Sequence, residues 1–557
     1  MRMKVSDYIA KKLTESGITD VFMVTGGGAM HLDDGLGHEP GLHCIFNHHE
    51  QACAIAAECY ARIHNKIAAV CVTTGPGGTN AITGVVGGWL DSIPMLILSG
   101  QVRYDTTARS TGLGIRAMGD QEFDIVKAVD CMTKYSEMVL DPMRIRFCLE
   151  KALYLAQSGR PGPCWLDIPL NVQGAYIETD ELLGFDKDDY ENGGTGWSAH
   201  GTGCAGCTLC MMNKISGRPV MIPEDVAGQG EKRQVLPKPV TVETARTILK
   251  KVREAKRPVI NAGNGIRIGK AYDVFARVVE KLGIPVVTGW NSLDCMYDEH
   301  PLYVGRAGHM GDRPGNFAVQ NSDLLLSLGS RLSIRQVGYN YPTWAREAYV
   351  IYNDIDEEEL KKPTVHVDMP VHADVKDLLE KLELVLDEEE FMPEGGPKDK
   401  KAVDWWVKRC QEWKEKYTVV LPKHYAAGDD APANIYAAIK EISRRAEEGQ
   451  ITVVGNGSPC VVGGHAYEMK KGQRFISNSA IASMGYDLPA AIGACVADHT
   501  QDIILVTGDG SIQMNIQELQ TIIHHKMPIK IFLINNGGYH SIRQTQKNFF
   551  GEPLIGI

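Results

Sequence analysis

Nowhere does this chain hold an apolar run approaching the ~20 residues that a membrane span needs. It also has no cluster of basic residues, and its formal charge of −11 argues against nucleic acid or an anionic membrane as partner. The start, Met1-Arg2-Met3-Lys4-Val5-Ser6-Asp7, has no signal-peptide core and leads straight into an amphipathic helical pattern. No short-period repeat is present. Cysteine is not scarce, at 14 residues, but many sit inside apolar segments, as Cys53, Cys71, Cys131, Cys148 and Cys495 do. That pattern suits reduced, buried thiols and a cytoplasmic protein. What remains is an ordinary composition, 44% hydrophobic and 23% charged over 557 residues, which predicts a large globular protein of about three domains.

The most informative stretch is Gly508-Asp509-Gly510-Ser511, followed by Asn535-Asn536. Ile503-Ile504-Leu505-Val506 and Lys530-Ile531-Phe532-Leu533-Ile534 read as successive buried strands. Both motif ends then lie at the carboxyl edge of a sheet, where open α/β folds place ligands. Asp509 offers a carboxylate, Asn536 a side-chain carbonyl and Gly538 a backbone carbonyl, a hard oxygen set that suits Mg²⁺ together with diphosphate oxygens. A lone GDG would more simply be a strand–turn–helix with an acidic cap. The double Asn after the next strand favours the metal reading.

A second motif runs Asn47-His48-His49-Glu50-Gln51-Ala52, then Val72-Thr73-Thr74-Gly75-Pro76-Gly77-Gly78-Thr79-Asn80. Thiamine chemistry requires a carboxylate against the aminopyrimidine ring, which then draws the proton from the thiazolium carbon. Glu50, on a loop before an Ala-rich helix, is placed for that role; alone it would be an acidic first-turn residue favoured by the helix dipole. The glycines at 75–78 follow an apolar strand (Ala68 to Val72) and let backbone approach a ligand closely. No Lys-Ser or Lys-Thr pair follows, so this is not a P-loop.

On these residues the whole chain resembles the acetolactate synthase-like thiamine-diphosphate enzymes, catalytic subunits that condense 2-oxo acids. The matching stretches are Asp20-Val21-Phe22 with Gly26-Gly27-Gly28, His49-Glu50-Gln51-Ala52 and Thr74-Gly75-Pro76-Gly77. They continue with Gly100-Gln101-Val102, Gly159-Arg160-Pro161-Gly162-Pro163 and Leu166-Asp167-Ile168-Pro169. Ser483-Met484-Gly485-Tyr486-Asp487-Leu488-Pro489 and the metal motif complete the set, in the family's order. The resemblance implies an α/β protein of three doubly wound parallel-sheet domains. It further implies a homodimer or homotetramer with its active site at the dimer interface, a small regulatory subunit, and a place in branched-chain amino acid biosynthesis. Cofactor contacts are expected at Gly27, Gly75, Pro76, Asn80, Ser483, Met484, Gly508, Gly510 and Ser511.

Along the chain, residues 1–180 form the expected pyrimidine-binding domain and 190–237 a Cys- and Gly-rich insertion. Residues 238–390 are a central α/β unit opening with a helix over 242–255. A charged helical linker covers 391–425, and 426–557 bind diphosphate and metal, with a first clear helix near Ala431. The chain stops at Ile557, 21 residues past Asn536, where the family continues for several helices and at least one strand. The last domain is therefore expected to be truncated or completed by a partner chain, leaving a sheet edge exposed.

The central unit raises the question of FAD. Ala262-Gly263-Asn264-Gly265-Ile266-Arg267-Ile268-Gly269 misses the dinucleotide fingerprint. Gly308-His309-Met310-Gly311, Ser327-Leu328-Gly329-Ser330-Arg331 and Asn353-Asp354-Ile355-Asp356 resemble segments lining the family's flavin cleft. The resemblance places Arg331, Arg335, Asp354 and Asp356 there, although Ile334 stands where the family often has Asp. In the insertion, Cys204, Cys207 and Cys210 have two-residue spacings suited to a metal or an iron–sulfur cluster. A ferredoxin run would need a fourth Cys where Lys214 stands, so another ligand would come from His200 or a partner chain. The alternative is a loop of exposed thiols.

The implied reaction decarboxylates pyruvate and passes the two-carbon unit to a second carbonyl compound. Met484 is expected to prop the bent cofactor, with a core Met as the alternative, and Gln121 to hydrogen-bond the reacting carbons. Lys134 is another matched position, read as a solvated Lys. In acetolactate synthases a Gln-Trp pair after the double Asn faces the acceptor; here the pair is Gln544-Thr545, which predicts a wider pocket. A non-catalytic relative would lack Glu50 or the metal set. The catalytic rivals are a simple 2-oxo acid decarboxylase and a transferase acting on a keto sugar or aldehyde.

Overall fold

Short runs such as Ala68–Val72 are apolar at every position, so as strands they must be covered on both faces, which is the signature of a parallel sheet wrapped by helices. The computed structural model describes residues 1–196, 233–388, 398–426, 428 and 431–557. They form two compact units. One comprises Met1–Arg233, Ala480–Thr500 and Gln513–Ile529; the other comprises Gln234–Ser479, Gln501–Ile512 and Lys530–Ile557. The sequence blocks are thus regrouped by packing, because two segments of the last block join the first.

The amino-terminal residues are not helical from the start. β1 (Arg2–Lys4) pairs antiparallel with β8 (Tyr176–Glu178), and the amphipathic helix begins at Val5. The first unit is built on β2 (Asp20–Met23), β3 (His43–Phe46), β4 (Ala68–Val72), β5 (Met95–Gln101), β6 (Tyr135–Met138) and β7 (Pro163–Pro169). Their order is β3-β2-β4-β5-β7-β6, with every neighbouring pair parallel. Val21, Met23, Ala69, Cys71, Leu96, Leu98 and Leu166 point into one core with helices Val5–Glu15 and Ile145–Gln157.

Also in the first unit, helix Glu50–His64 is buried at Ala52–Arg62, and helix Asp487–Ala497 at Asp487–Val496. Small residues allow this close contact. A Cβ added to Gly84 would stand 2.5 Å from the Ala54 Cβ, and one on Gly493 would stand 2.0 Å from the Ala56 carbonyl oxygen. Packing against Glu50–His64 is what draws the late segment into the first unit.

The second unit holds two sheets. β9 (Pro258–Ala262), β10 (Val286–Thr288), β11 (Tyr303–Arg306), β12 (Leu324–Leu328), β13 (Tyr349–Asp354) and β14 (Met369–His372) stand in the order β11-β10-β9-β12-β13-β14, all parallel. β15 (Ile451–Val454) runs parallel to both β16 (Arg474–Ile476) and β17 (Ile503–Gly508), and β18 (Ile529–Ile534) is the edge beside β17. Phe532 and Leu533 on β18 are exposed. The central unit's opening helix is Val242–Glu254, the linker carries helix Lys400–Lys416, and the last helical block starts at Ile435.

In each parallel sheet strands are added first to one side and then to the other, and ligand crevices in doubly wound folds lie at that reversal, outside the carboxyl ends of the strands. The reversals fall between β2 and β4, between β9 and β12, and between β15 and β17. They bring together Gly26 and Gly28 with Thr73 and Thr74, Gly263 with Gly329, and Gly508 with Pro459.

Candidate active site

In the first unit, Glu50 is the first residue of its helix rather than part of a preceding loop. The His49 ring caps that helix, accepting from the Gln51 N–H at 3.1 Å. One oxygen of Glu50, Oε2, accepts from Asn80 Nδ2 at 3.0 Å. Asn80 is carried by helix Pro76–Asp91, whose N-cap Gly75 has φ +62°. A side chain on Gly75 would meet the Gln121 carbonyl oxygen at 2.6 Å, so the turn requires glycine. The Gly-rich stretch is therefore mostly the first turn of a helix. Gln121 is exposed with φ +61°, an uncommon conformation for its type, and its carbonyl lies 3.3 Å from Thr74 Oγ1. Gly27 opens a single 3-10 turn and is exposed, while Ser483 and Met484 are half-buried ahead of helix Asp487–Ala497.

Lys134 corrects the sequence reading. It is only 4% exposed and donates to the Ser158 carbonyl, so it is not a solvated lysine.

In the second unit, Asp509 follows β17 directly and Asn536 lies just past β18. Asp509 Oδ2 accepts from the N–H groups of Gly537 and Gly538, at 2.9 and 2.8 Å, and so ties the two motifs together. Asn536 Nδ2 donates to Ser458 Oγ at 3.2 Å, whereas its Oδ1 is buried without a hydrogen-bond partner. A buried amide oxygen left without a donor is costly, and a cation would satisfy it. The Gly538 carbonyl accepts from the His540 N–H at 2.8 Å, and Arg543 donates to the carbonyls of Asn536 and Gly537. Among the described residues no three His, Cys, Asp or Glu side chains gather to hold a metal. The metal reading thus rests on one carboxylate, one amide and one backbone carbonyl, hard ligands whose chemistry fits Mg²⁺. Gly508 ends β17, Gly510 is half-buried and Ser511 is 1% exposed.

At the reversal of the central sheet, Arg331 has φ +57° and accepts through its carbonyl from Lys362. The Arg335 guanidinium lies over the Trp290 ring, 5.7 Å from its centroid. The two aspartates serve local structure: Asp354 accepts from the Asp356 N–H at 3.0 Å and the Tyr352 hydroxyl at 3.1 Å, and Asp356 caps helix Glu357–Leu360. Cys204, Cys207 and Cys210, with His200 and Lys214, lie outside the described residues.

Several polar residues escaped the motif reading. Glu518, wholly buried, accepts from Asn47, His48 and Thr521, and Asn515 donates to Gln51. Gln101 joins Thr74, Phe123 and buried Asp167. Gln51, Thr74, Gln101 and Asp167 stand inside matched stretches; Glu518 and Asn515 have no signal beyond their place in Asn515-Ile516-Gln517-Glu518.

Three family models cover these regions. The thiamine pyrophosphate enzyme N-terminal TPP binding domain matches residues 3–128, the central domain 245–382, and the C-terminal TPP binding domain 455–556. The acetolactate synthase large subunit of Lactococcus lactis is 31% identical over 98% of this chain and 83% of its own length. A probable acetolactate synthase large subunit of Methanococcus aeolicus is 28% identical over 100% and 84%, and acetolactate synthase 1 of Zea mays, chloroplastic, is 29% identical over 98% and 76%. With its three α/β domains, the chain belongs to the thiamine-pyrophosphate-dependent enzymes, within the family of the acetolactate synthase large subunits.

Proposed function

We propose that the protein is a carboligase that decarboxylates pyruvate and transfers the two-carbon unit to a second carbonyl compound. The observation that carries this reading is Glu50, a carboxylate at a helix start beside the sheet reversal, with one oxygen held by Asn80. Thiamine diphosphate, when bound, supplies a carbon nucleophile and a sink for the electron pair left by carbon dioxide. Glu50 would hold and return a proton at the aminopyrimidine ring, and Gln121 would offer its amide to the reacting carbonyl. Met484 would provide an apolar shelf, and Gly27, Gly75, Pro76, Ser483, Gly508, Gly510 and Ser511 would let backbone and hydroxyl groups approach the cofactor. Asp509, Asn536 and the Gly538 carbonyl would hold Mg²⁺, the unpartnered Asn536 Oδ1 being the main support.

FAD would sit at the reversal of the central sheet against Arg331 and Arg335, in a structural role because the reaction has no net redox step. The functional division follows 1–180, 238–390 and 426–557, with 190–237 as an insertion and 391–425 as a linker. The setting is cytoplasmic branched-chain amino acid biosynthesis. The eleven described cysteines, all free, suit a cytoplasmic setting.

A second reading, transfer to a keto sugar or aldehyde, is favoured by Thr545, an exposed residue in helix His540–Phe549 where the family resemblance implies Trp. Pyruvate and 2-oxobutanoate differ by one methylene, whose contact is worth only ~1–3 kcal/mol, so losing that contact should flatten discrimination without abolishing turnover. With pyruvate alone the expected product is acetolactate; acetaldehyde would instead mark a decarboxylase, and slow turnover rescued by a keto sugar would mark the second reading. With pyruvate and 2-oxobutanoate competing as acceptors, near-equal products are expected. A strong 2-oxobutanoate bias would remove Thr545 from the pocket.

A further inference from the structure

We propose that Glu518 is a positioning residue for Glu50, gripping with Asn515 and Thr521 the chain on both sides of that carboxylate. The proposal rests on the reading of Glu50 as the cofactor-facing base. Glu518 is 0% exposed, on the first turn of helix Glu518–His524 in the first unit. Its Oε1 accepts from the His48 N–H at 2.9 Å, and its Oε2 accepts from Asn47 Nδ2 at 2.9 Å and Thr521 Oγ1 at 2.8 Å. Since the Thr521 hydroxyl proton points to Glu518, its oxygen accepts from His48 Nδ1 at 3.0 Å. On the far side of Glu50, Asn515 Nδ2 donates to Gln51 Oε1 at 3.0 Å and to the Gly485 carbonyl at 2.7 Å.

One short segment thus fixes residues 47, 48 and 51, which bracket Glu50. Packing alone does not call for this chemistry. A buried carboxylate is costly unless donors surround it, and among the described residues Glu518 forms no ion pair. Only a side chain with two acceptor oxygens can take a backbone N–H, an amide and a hydroxyl together. Removing it would leave the Asn47–Glu50 turn intact in sequence but free to swing, and small misplacements of a reacting group are expensive in rate.

The test compares Glu518→Gln, Glu50→Gln and the double variant as full-length chains with saturating thiamine diphosphate and Mg²⁺. Hydrogen–deuterium exchange at cofactor C2 should slow roughly 10- to 100-fold in Glu518→Gln and ~10²–10⁴-fold in Glu50→Gln. The double variant should be no slower than Glu50→Gln, because a residue acting only through Glu50 adds nothing once that carboxylate is gone. In the cofactor-free protein, Glu518→Gln should also speed amide exchange across residues 47–53 while leaving β5 unchanged. If Glu50→Gln slows C2 exchange and Glu518→Gln does not, the positioning role is overturned and the base survives. If Glu50→Gln changes nothing, the base reading itself fails. A double variant slower than Glu50→Gln by the full single-variant factor would show that Glu518 acts elsewhere. Should Glu518→Gln not fold, Thr521→Val removes one donor from the same cluster, and unchanged C2 exchange there would overturn the proposal.

Discussion

Asp167 is a buried acid that works through its neighbours. It is 0% exposed at the carboxyl end of β7, accepting from Ser99 Oγ at 2.6 Å and Gln101 Nε2 at 3.0 Å. Burial pushes its pKa up to about 7, against those two hydrogen bonds, which favour the charged form. Gln101 also takes the Thr74 hydroxyl at 2.8 Å and donates to the Phe123 carbonyl at 2.8 Å, so it links the acid to the turn that carries Gly75 and to the separate segment that carries Gln121. Because the folded-state value lies above the ordinary 3.8, unfolding releases a proton between those two values. The stabilising contribution is complete below the unfolded pKa and is lost as pH rises through about 7. Asp167→Asn cannot ionise. Its stability relative to wild type should therefore improve by ~3 kcal/mol between pH 5 and pH 8, at ~1.4 kcal/mol per pKa unit. Urea denaturation at both pH values measures this. A difference that does not change with pH would mean that Asp167 is already charged at pH 5.

Helix Glu50–His64 couples the site to the core of the first unit. Arg62, 7% exposed, donates to Glu58 at 2.5 Å and to Asp91 at 2.5 Å, and the Tyr486 hydroxyl donates to Glu58 at 2.8 Å. Burial raises the Glu58 pKa despite Arg62. Arg62→Met removes the only cation of this trio and leaves two carboxylates in the core, which should cost ~3–5 kcal/mol. Glu58 would then titrate higher still, so the loss should be greatest at pH 8 and partly recovered near pH 5.5. A pH-independent loss in urea denaturation would show that packing, not charge, is at stake. Elements like this were legible in the sequence where their causes are local. Ala68–Val72 is a wholly apolar run, Pro76 stands at a helix start, and Gly508-Asp509-Gly510 ends a strand. The grip of Glu518 and Asn515 on residues 47–51 was not legible, because no spacing encodes a contact across more than 460 positions. Lys134 misled for the same reason, since only the fold brings the Ser158 carbonyl to it.

At the scale of the whole molecule we propose, as the family resemblance implies, that Glu50 and Asp509 of one active site come from two copies of the chain paired as a symmetric dimer, each site taking its base from one copy and its metal ligands from its partner. This predicts complementation. Glu50→Gln and Asp509→Ala should each be nearly inactive alone, the first for want of a proton acceptor and the second for want of an oxygen ligand to Mg²⁺. In a mixed pair, one site would carry both substitutions and the other neither. Random pairing of equal amounts in a two-fold symmetric dimer should therefore restore roughly a quarter of wild-type activity. The assay mixes the two variants with different affinity tags, confirms exchange by co-purification, and measures pyruvate consumption. Mixed pairs that form but stay inactive would mean that both residues of a site come from one chain. The dimer-interface assignment would then be wrong, even with Glu50 and Asp509 correctly placed in their roles.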